Sequence, residues 1–319
     1  LAVLFALVLV GAACSSRDDD SGSGDVDTED TSGDTGSGDG DEASSIPTDD
    51  CLVDPTEEIE GDVIKLVSSY PQSGLTASFA EIGRGWKSYF EYINDDQGGV
   101  DVGGRTFTIE TEDRDDEYNA QKTAANIEDL AGADGSGAFA AFSVVGTANN
   151  VNIRDVMGEN CMPNLFAATG SPAWGNADYP WLIGSTLVPY TLEGEAFANY
   201  LVENAPEAKV AMLVQSDDFG AAYEEGFRNA IDGTDITVVA VEKYPTGANE
   251  VGTQLTALAA SGADAFFNGG TLLACPDALT KAQQANWTPI TWVSGTCISK
   301  TLMGIAGEAA DGVLALTNI

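Results

Sequence analysis

A strand, a turn and a helix are encoded in succession by VIKLVSSYPQSGLTASFAEIGRGWKSYFEYIN, residues 63–94. The first part, 63–68, is largely apolar and β-branched, which favours a buried strand. Further on, apolar side chains recur every three to four positions, at Ile82, Trp86, Phe90 and Ile93. This spacing predicts an amphipathic helix over residues 76–94.

The same pattern recurs on both sides of an aromatic, proline-rich link. Before the link, strands are predicted at 106–112, 137–143 and 164–168, and helices at 118–130 and 147–157. After it, predicted strands at 209–214, 236–241, 263–268, 290–293 and 312–317 alternate with helices at 197–202, 223–231, 251–260 and 276–285. Such alternation predicts an α/β fold of two Rossmann-like lobes with parallel sheets. We place lobe 1 at 51–180, a hinge link at 181–190 and lobe 2 at 191–319.

The first 50 residues differ in composition from the rest of the chain. An apolar run, LAVLFALVLV, is followed by small residues and by Cys14. We interpret residues 1–13 as part of a lipoprotein signal peptide that leaves Cys14 lipidated; an ordinary secretory signal with an incidental cysteine is the alternative. Residues 14–50 are acidic and rich in serine and glycine, which predicts a disordered tether. We expect the full-length protein to continue beyond both ends of this sequence, with further fold after Ile319.

Charge and composition argue against several functions. The formal net charge is −38, with 51 acidic residues against 13 lysines and arginines, so no basic stripe is available for nucleic acid. There is no histidine, which removes the commonest general base and the commonest metal ligand. Motifs for nucleophilic catalysis and for nucleotide binding are also absent from the sequence. We therefore expect a protein without cofactor or metal that is not an enzyme; an extracellular enzyme is the least favoured alternative.

Four cysteines remain when Cys14 is set aside. They are Cys51, Cys161, Cys275 and Cys297. An even number in an exported protein predicts two disulfides, for which three connectivities are possible. Unpaired buried thiols are the alternative.

Candidate ligand-binding residues follow the predicted strands. Parallel α/β sheets bind ligands at the carboxyl ends of their strands, so two facing lobes create a cleft there. Hydroxyl, glycine and aromatic residues collect at these ends: Tyr70, Ser73, Ser143, Gly146, Thr147, Thr169, Gly170, Ser171, Phe219, Gly270 and Ser294. Each residue alone also fits an ordinary turn, in which such residue types are common. Taken as a set, they predict a polar binding cleft.

Four stretches of the sequence carry a family resemblance. They are IKLVSSYPQSGLTASF (64–79), YINDDQGGVDVGGRTFTI (92–109), QSDDFGAAYEEGF (215–227) and IAGEAADGVLAL (305–316). Together they resemble the extracellular solute-binding proteins of branched-chain amino-acid-type ABC transporters, which have the type I periplasmic-binding-protein fold. The resemblance spans about residues 62–319.

The resemblance implies roles for several of the candidate residues. In that family, hydroxyl and backbone groups at positions matching 143–147 and 169–171 hold the polar head of the ligand. Aromatic side chains at the positions of Phe79 and Phe219 lie near it. The amino-acid binders also pair the ligand's ammonium group with an acid in lobe 2, but the matching residues here, 294–296, contain no acid. The ligand class therefore stays open among amino acids, amides and small carboxylates.

Two acids elsewhere in lobe 2 offer a substitute for that charge. Asp217 and Asp218 follow the first strand of the lobe. Both are better explained as solvent-facing or helix-capping residues.

The resemblance also implies the disulfide pairing, because it places Cys275 and Cys297 on one rim of lobe 2, and Cys51 and Cys161 at the amino end of the lobe 1 sheet.

The resemblance implies a function outside the cell. A receptor tethered to the membrane by a lipid anchor would capture a small polar solute between its lobes, close about the hinge, and present the solute to an ABC permease. The same fold also serves receptors, so the alternative is a ligand-sensing domain of a signalling complex.

Overall fold

The computed structural model describes Thr48 and residues 51–52, 59–131 and 137–316. The predicted signal peptide and Cys14 lie outside these residues, as does nearly all of the predicted tether. Within the described residues, no helix combines the length and the hydrophobicity that crossing a bilayer requires.

A mixed sheet forms the centre of lobe 1. Its strands are β1 (Val63–Tyr70), β2 (Val100–Val102), β3 (Arg105–Asp115), β4 (Ala140–Phe142), β5 (Asn164–Ala167) and β6 (Leu182–Gly184). They lie in the order β2-β3-β1-β4-β5-β6. The strands from β3 to β6 pair in parallel, whereas β2 and β3 form an antiparallel hairpin. The parallel part of the sheet confirms the predicted α/β architecture.

Helices cover both faces of the lobe 1 sheet. They are α1 (Ala80–Asp95), α2 (Ala120–Ala131), α3 (Thr147–Asn152) and α4 (Arg154–Glu159). On one face, Ile127 of α2 and Met157 of α4 share a buried cluster with Val67 of β1. On the other, Phe90 of α1 meets Phe142 of β4 with ring centroids 5.1 Å apart. The two clusters follow from the alternation of side chains along the strands.

Lobe 2 contains a parallel sheet with its own two clusters. The strands are β7 (Lys209–Gln215), β8 (Thr237–Tyr244), β9 (Ala265–Gly269) and β10 (Ile290–Val293), in the order β10-β9-β7-β8. The helices are α5 (Tyr190–Asn204), α6 (Asp218–Ala230), α7 (Gly252–Ala259), α8 (Ala274–Gln284) and α9 (Lys300–Ala306). Met212 and Phe267 pack with α5 and α6, whereas Leu213 and Phe266 pack with α7 and α8. Adjacent residues of one strand thus serve opposite faces.

Several element boundaries differ from the sequence-based ones. Part of the segment predicted as a hinge link, 181–190, is regular secondary structure, because residues 182–184 form β6, which pairs with β5, and α5 begins at Tyr190. Lobe 1 therefore extends to Gly184, and residues 185–189 connect it to lobe 2. The strand predicted at 312–317 is wrong in its described part, where Leu314 makes a single bridge to Trp292.

Both pairs of cysteines are joined in disulfides, in the pairing that the resemblance implied. Cys51 is bonded to Cys161, with Cα atoms 5.4 Å apart, and this bond attaches the start of lobe 1 to the segment before β5. Cys275 is bonded to Cys297, with Cα atoms 6.0 Å apart. The second bond cross-links the segments that follow β9 and β10.

Candidate functional site

Three hydroxyl groups form a chain where lobe 1 meets the first helix of lobe 2. Thr147 begins α3 just after β4, and its Oγ1 lies 2.6 Å from Oγ1 of Thr169, which follows β5. The phenol of Tyr190, at the start of α5, lies beside the Thr169 hydroxyl. Both threonines are 2% exposed. Because a hydroxyl can donate or accept, this chain suits a polar group of a small solute.

Tyr190 connects the two lobes. Its backbone N–H donates to the Gly170 carbonyl of lobe 1 at 2.8 Å. Its ring packs against Phe219 and Tyr223 of α6, with centroids 4.9 and 4.8 Å apart. Burial raises the pKa of Tyr190 to about 12, so the phenol remains a hydrogen-bond donor at neutral pH. Movement of one lobe against the other would therefore strain or break contacts at this residue.

A second tyrosine crosses from lobe 1 toward lobe 2. Tyr118 lies in the turn after β3 with φ of 62°, and its ring centroid is 5.3 Å from that of Phe79. Gly146 leaves space for it, since a Cβ at this position would stand 2.7 Å from the Tyr118 ring. The Tyr118 phenol lies beside the Gln215 side chain of β7, and burial raises its pKa well above the usual value. Phe79, Gly146 and Tyr118 form a wall of lobe 1 that faces the exit of β7.

A buried carboxylate holds the Tyr118 turn in place. Asp116 is 0% exposed, and its Oδ1 accepts the backbone N–H of Tyr118 at 2.9 Å. Its Oδ2 accepts the hydroxyls of Ser69 at 2.9 Å and Thr123 at 2.8 Å. Burial raises the pKa of Asp116, although these hydrogen bonds favour the ionised form. The network fixes the turn to β1 and α2.

The lobe 2 turns that follow β9 and β10 are bonded to each other. The Ser294 hydroxyl donates to the Gly270 carbonyl at 2.6 Å, and Ser294 is 0% exposed. The disulfide between Cys275 and Cys297 joins the same two segments. The two turns are therefore held together, and the Ser294 hydroxyl is already used in a hydrogen bond.

A buried glutamate lies beside the turn that follows β10. Glu193 of α5 is 2% exposed, and its Oε2 accepts the backbone N–H of Gly295 at 2.6 Å. Its Oε1 accepts the Tyr223 hydroxyl at 3.3 Å. Burial raises the pKa of Glu193 to about 7, against the opposing effect of these two hydrogen bonds. The turn at 294–296 has no acid of its own, but α5 brings a carboxylate to it.

Cavities accompany these groups. A cleft of about 560 Å³ opens beside the β5 exit, and its lining includes Thr169, Gly170, Ser171, Trp174 and Leu192. This volume accommodates a small solute. A cavity of about 30 Å³ lies next to Glu193, which is room for one water molecule. In the part of the chain that the structure describes, no group of cysteine and acidic side chains is arranged to hold a metal ion.

A comparison with protein families assigns the fold. A sequence model of the family described as periplasmic binding protein matches residues 63–319. The chain belongs to this family. Its two sheets of mainly parallel strands, with helices packed on them, agree with the type I fold, and membership indicates a location in the periplasm or outside the cell. No curated protein sequence is significantly similar to this binding protein.

Solved structures with the same fold include ligand complexes. A substrate-binding periplasmic protein from Ralstonia solanacearum is 25% identical, with 78% of this chain and 69% of that chain covered and a TM-score of 0.68. A branched-chain amino acid ABC transporter protein from Thermus thermophilus, with bound valine, is 20% identical, with coverages of 80% and 64% and a TM-score of 0.68. A solute-binding protein from Rhodopseudomonas palustris, in complex with benzoate, is 18% identical, with coverages of 79% and 68% and a TM-score of 0.67.

Most of the predicted site residues of this binding protein come together. Six surround Tyr118 and Tyr190: Phe79, Gly146, Thr147, Thr169, Gly170 and Phe219. Ser171 lies next to them, and its hydroxyl accepts the backbone N–H of Ala173 at 3.1 Å. Ser143 lies at the end of β4 with φ of 55°.

Two predicted residues lie elsewhere in lobe 1. The Tyr70 hydroxyl donates to Asp113 at 3.0 Å, and its ring packs against Gly83 of α1. Alternation along β1 turns this side chain toward α1 rather than toward the Tyr118 wall. The exposed Ser73 donates to Asp115 at 2.5 Å. Neither side chain belongs to the group around Tyr118 and Tyr190.

Sequence reasoning missed three residues of the site. Tyr118 follows β3, so the rule applied to the other strand exits would have found it. Tyr190 belongs to the predicted hinge link, whereas in the structure it begins α5. No sequence pattern indicates Glu193, because it reaches the β10 turn from a helix about 100 positions earlier in the chain.

Proposed function

We propose that this binding protein takes up a small polar solute between its two lobes and delivers it to an ABC permease. The chain of hydroxyls from Thr147 through Thr169 to Tyr190 carries this proposal, because it presents polar groups from both lobes at one place. The absence of histidine from the sequence adds support for a binding role rather than an enzymatic one.

Closure about the link at 185–189 is the proposed mechanism. Hinge closure around a ligand is the motion of periplasmic binding proteins as a class. A solute stabilises the closed form only as far as it binds that form better than the open one, which requires contacts to both lobes. Tyr118 and Tyr190 are suited to this role, since each joins lobe 1 to side chains of lobe 2.

Replacing Thr169 with valine is expected to weaken solute binding about tenfold, because it removes the central hydroxyl of the chain while keeping the shape of the side chain. The measurement is calorimetric titration with solutes selected by a thermal-shift screen of amino acids, amides and small carboxylates. Thr237→Val is the matched control, since Thr237 is exposed at the opposite end of the lobe 2 sheet. Unchanged affinity in Thr169→Val would show that the Thr169 hydroxyl does not contribute to solute binding. Solution scattering that shows no compaction with any solute would contradict the proposed function itself.

We also propose that Cys14 carries a lipid anchor and that residues 15–50 form the tether. In cells, Cys14→Ser is expected to move most of the protein from the membrane fraction to the soluble fraction, because lipidation supplies the membrane affinity. Fractionation with immunoblotting measures this. Cys14→Ser protein that stays in the membrane fraction would refute the anchor.

A further inference from the structure

A buried carboxylate lies one helical turn from the link between the lobes. Glu193 follows Tyr190 by three positions in α5, so the two side chains share one face of the helix start, directly after the link at 185–189. Glu193 is 2% exposed, and its oxygens accept only the Gly295 N–H and the Tyr223 hydroxyl. Within the described residues, no lysine or arginine forms an ion pair with it. A carboxylate buried without a cation is costly to ionise, so its charge depends strongly on how much water reaches it.

The ionisable groups that face Glu193 are neutral, as far as the structure describes the chain. They are the phenols of Tyr190 and Tyr223, which burial keeps protonated at neutral pH. The β10 turn and the link contribute no ionisable side chain. The charge of Asp217 acts on Tyr190, but Asp217 caps α6, where its Oδ1 accepts the Gly220 N–H at 3.3 Å. Burial is therefore the main influence on the affinity of Glu193 for a proton.

The link shields this carboxylate from solvent. The cavity of about 30 Å³ beside Glu193 is lined by Leu187 and Val188 of the link, by Tyr190 and by Leu316. It has room for one water molecule and none for a solute, so Glu193 is separate from the surface that a solute contacts. How much further water reaches the carboxylate depends on the position of the link.

The lobes are in contact at two further places. Gly247, in the loop after β8, faces Thr76 of lobe 1, where a Cβ on the glycine would stand 3.8 Å from the Thr76 Cγ2. The Tyr118 phenol of lobe 1 lies beside Gln215 of β7. These contacts identify the closed arrangement. The burial of Glu193 is thus a property of the closed form.

Opening about the link changes the surroundings of Glu193. The Tyr190 N–H is held by the Gly170 carbonyl of lobe 1, so rotation of lobe 1 pulls on the first turn of α5. The same rotation displaces Val188 in the cavity lining, because hinge segments absorb the change in φ and ψ. Water then reaches the carboxylate and favours its ionised form. Glu193 therefore holds a proton more tightly when the lobes are closed.

We infer that Glu193 is a positioning residue through which solute binding takes up a proton, so that the pH regulates affinity. Glu193 joins the β10 turn to the helix that follows the link, and its surroundings change with closure. A solute that stabilises the closed form must also stabilise the protonated carboxyl, since the two equilibria are linked. The inference rests on the proposed function, because it assigns a regulation to the same cleft.

The closed form determines the direction of the pH dependence. Burial raises the pKa of Glu193 there to about 7, and water in the open form brings it back toward its ordinary value of 4.5. The additional affinity is fully present below the pKa of the open form and is lost as the pH rises through about 7. A difference of about one unit between the two pKa values already corresponds to about a tenfold change in affinity.

Calorimetric titration at pH 5.5 and at pH 8 tests the coupling. The probes are L-valine, benzamide, benzoate and any further solute that the thermal-shift screen selects, provided that it has no group titrating in this interval. The wild-type protein is expected to bind about tenfold more weakly at pH 8. At pH 6.5, titration in two buffers of different ionisation enthalpy is expected to show uptake of about half a proton or more for each solute bound.

Three variants assign the effect to Glu193. Glu193→Gln keeps an oxygen for the Gly295 N–H but cannot ionise, so its affinity is expected to be the same at both pH values. Glu195→Gln makes the same change on the exposed side of α5 and is expected to keep the wild-type ratio. Val188→Ala enlarges the cavity and admits water to the closed form, so the loss of affinity is expected at a lower pH than in the wild type. Should Glu193→Gln fail to fold in a thermal melt, Val188→Ala decides.

Equal wild-type affinities at the two pH values, without proton uptake, would overturn the coupling and leave solute binding itself intact. A pH dependence that persists in Glu193→Gln, or one that Val188→Ala leaves at the same pH, would overturn it too, because another group would then be responsible. If no solute binds and scattering shows no compaction, the proposed function fails and the coupling fails with it.

Discussion

Replacing Gly226 with alanine is expected to lower the free energy of unfolding by about 2–3 kcal/mol. Gly226 lies on the side of α6 that meets α5, where a Cβ would overlap the Thr191 carbonyl oxygen and stand 2.5 Å from the Thr191 Cα. The fit is reciprocal, since a Cβ on Gly194 of α5 would stand 2.6 Å from the backbone oxygen of Tyr223. Backbone atoms inside a helix cannot move alone, so the added methyl group must push α5 and α6 apart.

Urea unfolding followed by circular dichroism measures this loss. Gly85→Ala is the matched control, because Gly85 also lies inside a helix, α1, but has open space where its Cβ would be. There the substitution is expected to raise the free energy of unfolding by about 0.5–1 kcal/mol through helix propensity alone. Equal gains in the two variants would show that α5 and α6 are not in close contact.

The fold was predictable because apolar residues recur with a different spacing in strands and in helices. The strand at 290–293 has the predicted bounds, and α1 ends one residue from its predicted end. β2 and β6 were missed because each has only three residues and neither lies in an apolar run as long as AFAAF (138–142), from which the equally short β4 was predicted. Partner strands supply the hydrogen bonds that define β2 and β6. The apolar residues near 312–317 have the composition of a strand, yet only Leu314 makes a bridge.

The site was predictable where topology alone determines it. Chain order places the turns after parallel strands at one edge of the sheet, which located Thr147 and Thr169. The direction of Tyr118 depends instead on two successive residues in the left-handed region, Glu117 with φ of 50° and Tyr118 with φ of 62°. Non-glycine residues rarely adopt this conformation, and here the carboxylates of Asp115 and Asp116 hold the two N–H groups. Such a turn follows from tertiary contacts, not from local composition.

α5 shows why the remaining site residues could not be predicted. Three of its residues contact three different neighbours. Tyr190 contacts the β5 exit of lobe 1, Glu193 contacts the β10 turn, and Gly194 contacts α6. An amphipathic pattern reports only that a face is buried. The pattern does not identify which buried position needs a polar side chain. Glu193 is polar because its carboxylate accepts the backbone N–H of Gly295.

Glu193 is expected to lower the stability of the binding protein as the pH rises from about 4.5 to about 7. Burial raises the pKa of its carboxyl from 4.5 to about 7, so within this window the folded state holds a proton that the unfolded state has lost. The free energy of unfolding therefore falls as the pH rises, by up to about 3 kcal/mol in total, and this contribution is constant above pH 7. The neighbouring phenols of Tyr190 and Tyr223 stay protonated throughout, because burial raises their pKa values.

Glu193→Gln isolates this contribution from those of the many other carboxyl groups. Glutamine keeps an oxygen for the Gly295 N–H but cannot ionise, so the variant is expected to match the wild type near pH 4.5 and to become progressively more stable than it up to pH 7. Urea unfolding at half-unit pH steps measures the difference. Glu195→Gln, on the exposed side of the same helix, serves as the control and is expected to show no such trend, because it makes the same change at a side chain that is in contact with solvent. A difference between Glu193→Gln and the wild type that stays constant with pH would mean that the carboxyl is not buried in solution, and that α5 and the β10 turn stand farther apart than the 2.6 Å hydrogen bond requires.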